Sequence, residues 1–435
     1  MGIYAINQWA NYQSKRFHIM TNNSHTPHHH SLASIISEGL HDVFHICVQE
    51  LRQTFRDEGM LIFFILVPLA YPILYSWIYQ EQLVREVPVV VVDDSNSSRS
   101  REFTRLFDAS PDVAVVARCT DMAEARKTVG RQEAFGIIRI PSSFATDIAR
   151  GKQTAVALYC DMSIMLNYKA ILQTATAVAG DMNAGIQISQ SGNTTARQDE
   201  ITTRPLDFDE VALFNPTGGY ADFILPVVLI LILHQTLLLG SGLGAGTARE
   251  QNRYEDLVPV SRHYNGTFRI VMGKAWCYFM IYLAVGAYVI LAVPAMFGFL
   301  QLLSVGPLLA LITPFLLATI FFGMTISCIV RYRENILLIV VFTTVPLLFL
   351  SGMSWPQSAM PGAWQAVAGL FPSTFGIRGF IRLNTMGATL QNIRTGYIAL
   401  WIQTVAYFLA ACAVYRHQLR MTRRHEAEEC TGTEA

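Results

Sequence analysis

Residues 220–274 read YADFILPVVLILILHQTLLLGSGLGAGTAREQNRYEDLVPVSRHYNGTFRIVMGK. The apolar run through Gly246 is long enough to cross a bilayer, for which about 20 apolar residues suffice. The character then changes. Arg249, Arg253, Arg262, Arg269 and Lys274 alternate with Glu250, Glu255 and Asp256 before apolar residues resume. Basic residues flanking a span mark its cytoplasmic end. The stretch therefore predicts a span, a cytoplasmic loop over 246–274, and a second span. The loop is more charged than a connection requires, so a soluble cytoplasmic partner is expected to grip it.

Composition agrees. The 435 residues carry zero formal net charge, are 52% hydrophobic and only 15% charged, against about 25% charged in a soluble domain. This predicts a polytopic α-helical membrane protein. Neutrality gives no argument for nucleic-acid binding. The seven cysteines are scattered, with no CxxC pair and no zinc spacing.

Working outward, residues 1–34 are polar and contain SHTPHHH. They read as a solvated, disordered cytoplasmic tail, because no carboxylate or cysteine joins His25, His28, His29 and His30 to complete a metal site. No cleavable signal peptide is read, since the first apolar run starts near Met60. Over 35–58, Ile36, Leu40, Val43, Phe44, Cys47, Val48, Leu51 and Phe55 recur at steps of three and four. That spacing makes one apolar helical face, expected to lie flat in the inner membrane interface as an elbow. Residues 60–79 form the first span. It contains Pro68 and Pro72, and Tyr71, Tyr75, Trp77 and Tyr79 crowd its far end as an aromatic belt.

Residues 80–219 alternate short β-branched runs (VPVVVVD, DVAVVAR, AFGIIRIP, TAVALYC) with helical segments. This predicts an inserted α/β domain, extracytoplasmic because it follows the first span. A long helix is expected from Ile164 to about Ser191, and a loop over 191–209. Cys119 and Cys160 each follow a strand, and an oxidising compartment leaves a disulfide open between them.

Four more apolar segments follow, at about 275–297, 307–330, 336–354 and 393–415, making six spans. RYREN at 331–335 is a tight charged turn, and Arg331, Arg333 and Glu334 place it in the cytoplasm. The tail 416–435 carries Arg420, Arg423 and Arg424, so both termini are cytoplasmic. The segment 355–392 breaks the charge rule. It carries Arg378 and Arg382 yet must lie outside, and reads as short helices on or dipping into the outer leaflet.

Chemistry is sparse. A phosphate loop needs Lys-Ser or Lys-Thr after spaced glycines, but Ala275 follows Gly273–Lys274. No catalytic triad, metal set or cofactor site is read. His234 and Gln235 fall inside the second span, where polar groups are expensive. A hydrogen bond to a neighbouring helix and a role toward substrate are both open for them.

Two motifs then carry a resemblance to the permease subunits of ABC-2-type ABC transporters, in the subgroup with a large extracytoplasmic domain between spans one and two. Arg249, Glu250, Glu255, Leu257, Pro259, Gly273 and Lys274 resemble that family's charged loop, with Asn252 and Arg253 where it usually has Gly-Thr. Ser351, Gly352, Trp355, Pro356, Met360, Pro361, Trp364, Pro372 and Ser373 resemble its segment near the last span. The resemblance implies a transport subunit with no ATP site of its own, resident in a bacterial inner membrane and exporting drugs, lipids, glycans or peptides. The implied partners are cytoplasmic ABC ATPase subunits, a second permease copy or paralogue, and membrane lipid. A periplasmic adaptor and an outer-membrane channel are also implied. The ATPase-coupling loop would use Arg249, Glu250, Arg253, Glu255, Leu257 and Pro259, with Arg331, Arg333 and Glu334 in a second loop. The competing reading is a membrane receptor whose inserted domain senses a ligand.

Overall fold

The computed structural model describes residues 32–192, 195–206, 211, 213–215, 218–250, 267–329 and 332–432. The calls on residues 1–31, Arg253, Glu255, Leu257, Pro259 and Arg331 lie outside the described residues. The chain opens with α1 (Leu32–Arg56). Among the described residues six helices are long and apolar enough to cross a membrane, at Glu58–Ile78, Tyr220–Glu250, Thr267–Met296, Val305–Ser327, Arg333–Leu350 and Arg394–Gln418.

Between the first of these, α2 (Glu58–Ile78), and the second lies the α/β unit, running β1 (Val87–Asp93), α3 (Ser98–Asp108), β2 (Val113–Cys119), α4 (Met122–Gly130), β3 (Gly136–Ile140), α5 (Phe144–Ala149), β4 (Ala157–Cys160), α6 (Met165–Ser191) and α7 (Ala196–Thr203). The sheet order is β2-β1-β3-β4, with β1 parallel to both neighbours and β4 antiparallel to β3. The unbroken valine run of β1 fits its central place, since a strand covered on both faces has no polar side. Val89 and Val91 pack with Phe103, Phe107, Ile138 and Ile171, while Val90 and Val92 pack on the other face with Ala125 and Ile137.

One expectation is corrected here, and one open alternative is answered. The stretch 191–209 is not all loop: α7 starts at Ala196, its first turn capped by Thr195 accepting from the Gln198 N–H. Cys119 and Cys160 are both free thiols. They end β2 and β4, the two edges of the sheet, and belong to clusters on opposite faces. Three strand steps of about 4.8 Å separate those edges, whereas a disulfide needs Cα atoms within about 7 Å.

The remaining helices are α8 (Tyr220–Glu250), α9 (Thr267–Met296), α10 (Val305–Ile329), α11 (Arg333–Leu350), α12 (Gly362–Ala368), α13 (Pro372–Met386) and α14 (Arg394–Gly432). The core is built on α8, whose most apolar window is 83% buried by its neighbours, against 22% for α2, 17% for α11 and 22% for the start of α14. Glycines near its charged end permit this. A Cβ on Gly240 or Gly244 would stand 2.0 Å from Phe64 or 2.4 Å from Met60 of α2. One on Gly242 or Gly246 would stand 2.3 Å from Ile336 or 2.8 Å from Arg333 of α11. The pairs are four apart, so each row faces one partner helix. The expected segment 355–392 is a 3-10 turn (Gln357–Ala359) followed by α12 and α13.

Candidate functional site

The charged loop of the opening stretch leaves the bundle at Glu250 and returns at Thr267. What surrounds those two points defines the site. Helix α9 begins at Thr267, about eight residues before the span expected from hydropathy, so Arg269 and Lys274 lie inside a helix. Their partners are on α1. Arg269 Nη1 meets Asp42 Oδ2 at 2.6 Å, and Lys274 Nζ meets Glu50 Oε2 at 2.8 Å. The second pair is deeply enclosed, with each side chain 6% exposed, and the Tyr278 hydroxyl donates to Glu50 as well.

The local sequence explains the seam. Asp42, Ile46, Glu50 and Thr54 recur every four residues along α1 and all are buried. Thr54 returns its hydroxyl to the Glu50 carbonyl at 2.9 Å. Part of the apolar stripe read from the sequence points the other way: Leu40 is 65% and Phe44 66% exposed, with Leu51 and Phe55 also exposed, while Val43 and Cys47 lie at the edge of the seam, half-buried. Close approach of α1 and α9 depends on Gly273. A Cβ there would stand 2.8 Å from Ile46 Cβ and 3.0 Å from the Val43 carbonyl oxygen. The Gly-Lys pair thus has two tasks, one to admit the elbow and one to bind it. The thiols of Cys47 and Cys277 also face each other across this seam.

A buried ion pair adds little net stability, but removing one partner leaves an uncompensated charge at about 3–5 kcal/mol. The seam is therefore a device of registration more than of stability. It fixes which turn of α1 lies beside which turn of α9. Sequence reasoning missed Asp42 and Glu50. The signal was present as two carboxylates two turns apart, Asp42 and Glu50, on the row that also carries Ile46 and Thr54.

At the exit from α8, Glu250 Oε1 accepts the Arg333 backbone N–H at 2.8 Å. Arg333 is the first residue of α11, so Glu250 caps that helix from another element. Such a cap satisfies an orphan N–H and sets a negative charge against the positive helix end. It joins the two loops that sequence treated separately. Arg249 lies on the last turn of α8, and Glu334 is exposed on the first turn of α11.

Between α1, the start of α2, the end of α8 and the start of α11 lies an open groove of about 980 Å³. His41, His45, Arg52, Arg56, Asp57 and Arg333 are among its lining residues. It stands at the same end of the bundle as the loop and offers charges of both signs.

His234 and Gln235 sit apart from this, midway along α8 and buried. Neither ring nitrogen of His234 nor either amide atom of Gln235 has a hydrogen-bond partner among the described residues. The His234 ring lies 6.1 Å from that of Phe322 on α10. Thr236 is the polar residue of this turn that bonds across helices, accepting from the Tyr282 hydroxyl at 3.0 Å. Among the described residues no group of three or more His, Cys, Asp or Glu gathers as a metal set.

Comparison with known proteins covers most of the chain. The family described as ABC-2 family transporter protein matches residues 59–413. The inner membrane transport permease YhhJ of Escherichia coli (strain K12) is 24% identical over 388 residues, 87% of this chain and 97% of that protein. The probable multidrug ABC transporter permease YbhS of the same organism is 26% identical over 380 residues, 85% of this chain and 93% of that protein.

Proposed function

The chain belongs to the ABC-2 family of transporter proteins, and from that premise we propose that it is the permease subunit of an ATP-driven exporter in a bacterial inner membrane. Two permeases, identical or paralogous, enclose the substrate path, and cytoplasmic ABC ATPase subunits drive them. Both termini, the loop 251–266 and the turn that leads into α11 face the cytoplasm, and the α/β insert 80–219 faces outward. There it gates the exit or docks a periplasmic adaptor leading to an outer-membrane channel. The segment 355–392 lies in the outer leaflet and α1 in the inner interface, its exposed Leu40 turned to lipid while Phe44 lines the groove. One relative is named a probable multidrug ABC transporter permease, and export of more than one cargo is the reading carried over here. The receptor reading is not favoured, because the matched family is one of transporters.

The observation that carries the coupling proposal is the pair of ion bridges tying α1 to the start of α9. An ATPase seated in the groove beside α1 and against the loop 251–266 pushes on both at once. The seam passes that displacement to α9, and the Glu250 cap passes it to α11. Arg249, Arg253, Glu255, Leu257 and Pro259 supply the loop's contact, with Arg331 and Glu334 beside it. His234 and Gln235 belong to the path, where unpartnered polar atoms meet cargo or water during the cycle.

The test is ATP-driven transport in inverted vesicles containing the permease with its ATPase. Glu250→Gln keeps an oxygen to cap α11 and removes the charge, while Glu250→Ala removes both. Glu255→Ala probes the loop itself. Loss of transport with assembly intact in Glu255→Ala and Glu250→Gln supports loop coupling. Parental transport in both assigns coupling elsewhere.

A further inference from the structure

Between Asp256 and Glu426 the chain has a single carboxylate side chain, Glu334, and that residue lies at the α1 end of the bundle. The opposite end of this half of the molecule still carries three cations, Arg378, Arg382 and Arg394. Arg378 and Arg382 are one turn apart on α13, and Arg394 begins α14. Arg378 Nε donates to the Ser351 carbonyl at 2.9 Å and its Nη2 to the Leu350 carbonyl at 3.4 Å, covering the end of α11. Arg382 is exposed and reaches only the Asn392 carbonyl, at 3.4 Å. Among the described residues no salt bridge is formed by any of the three. Asp222, at the same end, has the Leu300 N–H and Gln82 beside it and its Oδ1 without a hydrogen-bond partner among the described residues, and it forms no salt bridge with any of the three. Burial first, and the Arg382 charge second, hold the Arg378 guanidinium below its ordinary value.

A cluster of three arginines without a counter-charge is an unbalanced arrangement on the side of a membrane that ordinarily avoids them. The surroundings indicate what balances it. Trp355 and Trp364 are 58% and 54% exposed in the same segment, and Leu370 is 59% exposed beside them. Exposed tryptophans with apolar neighbours mark headgroup depth. Guanidinium groups match phosphate oxygens in geometry as well as charge. Two donors of Arg378 and one of Arg382 are committed to carbonyls, out of five on each.

We propose that Arg378, Arg382 and Arg394 form a binding site for the phosphate of a phospholipid in the leaflet opposite α1, the acyl chains lying along Trp355, Trp364 and Leu370. The bound lipid supplies the counter-charge that the sequence omits. It fixes the segment 355–392 at the membrane surface and so holds the end of α11. The proposal rests on the six-span reading, which resistance of the protein to carbonate extraction from membranes checks separately.

The experiment is native mass spectrometry of the purified full chain titrated with phosphatidylglycerol, with diacylglycerol and inorganic phosphate as separate arms. Arg382→Gln and Arg394→Gln are exposed changes that leave the α11 cover in place. Each is expected to weaken phosphatidylglycerol binding about fivefold, with the melting midpoint unchanged. Excess inorganic phosphate should fail to displace the lipid, and diacylglycerol should not be retained. Equal retention of phosphatidylglycerol by the parent and the double variant overturns the proposal. So does equal retention of diacylglycerol, or displacement of the lipid by free phosphate.

Discussion

Lys274 and Glu50 define the residue scale, because each is enclosed and each has the other as its charge partner. Lys274→Met is expected to destabilise the protein by about 3–5 kcal/mol, since it strands the Glu50 carboxylate. In a Tyr278→Phe background, Glu50→Leu together with Lys274→Met removes every polar member of the contact and should recover most of that loss. Thermal unfolding in detergent, followed by scanning fluorimetry, orders the variants. A triple variant as unstable as Lys274→Met alone would mean that the pair contributes through something other than charge compensation. The same scale shows where sequence reading stops. A Gly-Lys at the head of a span is legible as a motif, but its meaning sits some 220 residues away on α1. Only the fold brings Ile46 against Gly273. Cys119 and Cys160 teach the same lesson in reverse, for adjacency to strands says nothing about which strands are neighbours. Burial raises both thiols above their ordinary value, with Glu124 adding to the effect at Cys119. Their alkylation without prior reduction is therefore expected to be slow near pH 7 and to quicken as pH rises toward those raised values. Absence of free thiol in the insert at any pH would contradict the unlinked arrangement.

At the scale of elements, the strands and helices of the insert were legible because valine runs and capped polar helices alternate over short distances. The spans were legible as apolar blocks. Their ends were not, because hydropathy assigns a charged residue to a loop whether or not a partner elsewhere neutralises it. Arg269 and Lys274 are in helix for that reason. The residues of the elbow's apolar stripe divide between an exposed side with Leu40, Phe44, Leu51 and Phe55 and the flank of the buried face with Val43 and Cys47, while that buried face itself carries Asp42 and Glu50. If the two ion bridges make α1 and α9 one body, spin labels at exposed Phe44 and Met280 should keep their separation between nucleotide-free and ATP-trapped states. A label pair at Phe44 and Phe342 on α11, also exposed, should change. Pulsed dipolar spectroscopy reads both. A changing Phe44–Met280 distance would show that the seam opens during the cycle and that the elbow acts alone.

At the scale of the whole molecule, orientation is the property on which every functional statement depends, and it rests on charge asymmetry. The described structure divides the chain into two ends. One holds α1, the Glu250 cap and the start of α11; the other holds the α/β insert and the segment 355–392. The proposed cytoplasmic placement of the first end follows from its positive loops, and with it the insert would lie outside. The arginines of α13 are the one contrary signal. Phosphate binding at that surface removes the contradiction, because a lipid-neutralised cation no longer opposes translocation. Single cysteines introduced at Gln198 of α7 and at exposed Asn335 of α11 separate the possibilities in intact cells. A membrane-impermeant maleimide is expected to label the first at once and the second only after permeabilisation. Labelling of Asn335 in intact cells would invert the molecule. It would carry the insert into the cytoplasm and move the groove beside α1 out of reach of any ATPase. The coupling proposal would then fail at its first requirement, whatever the loop variants showed.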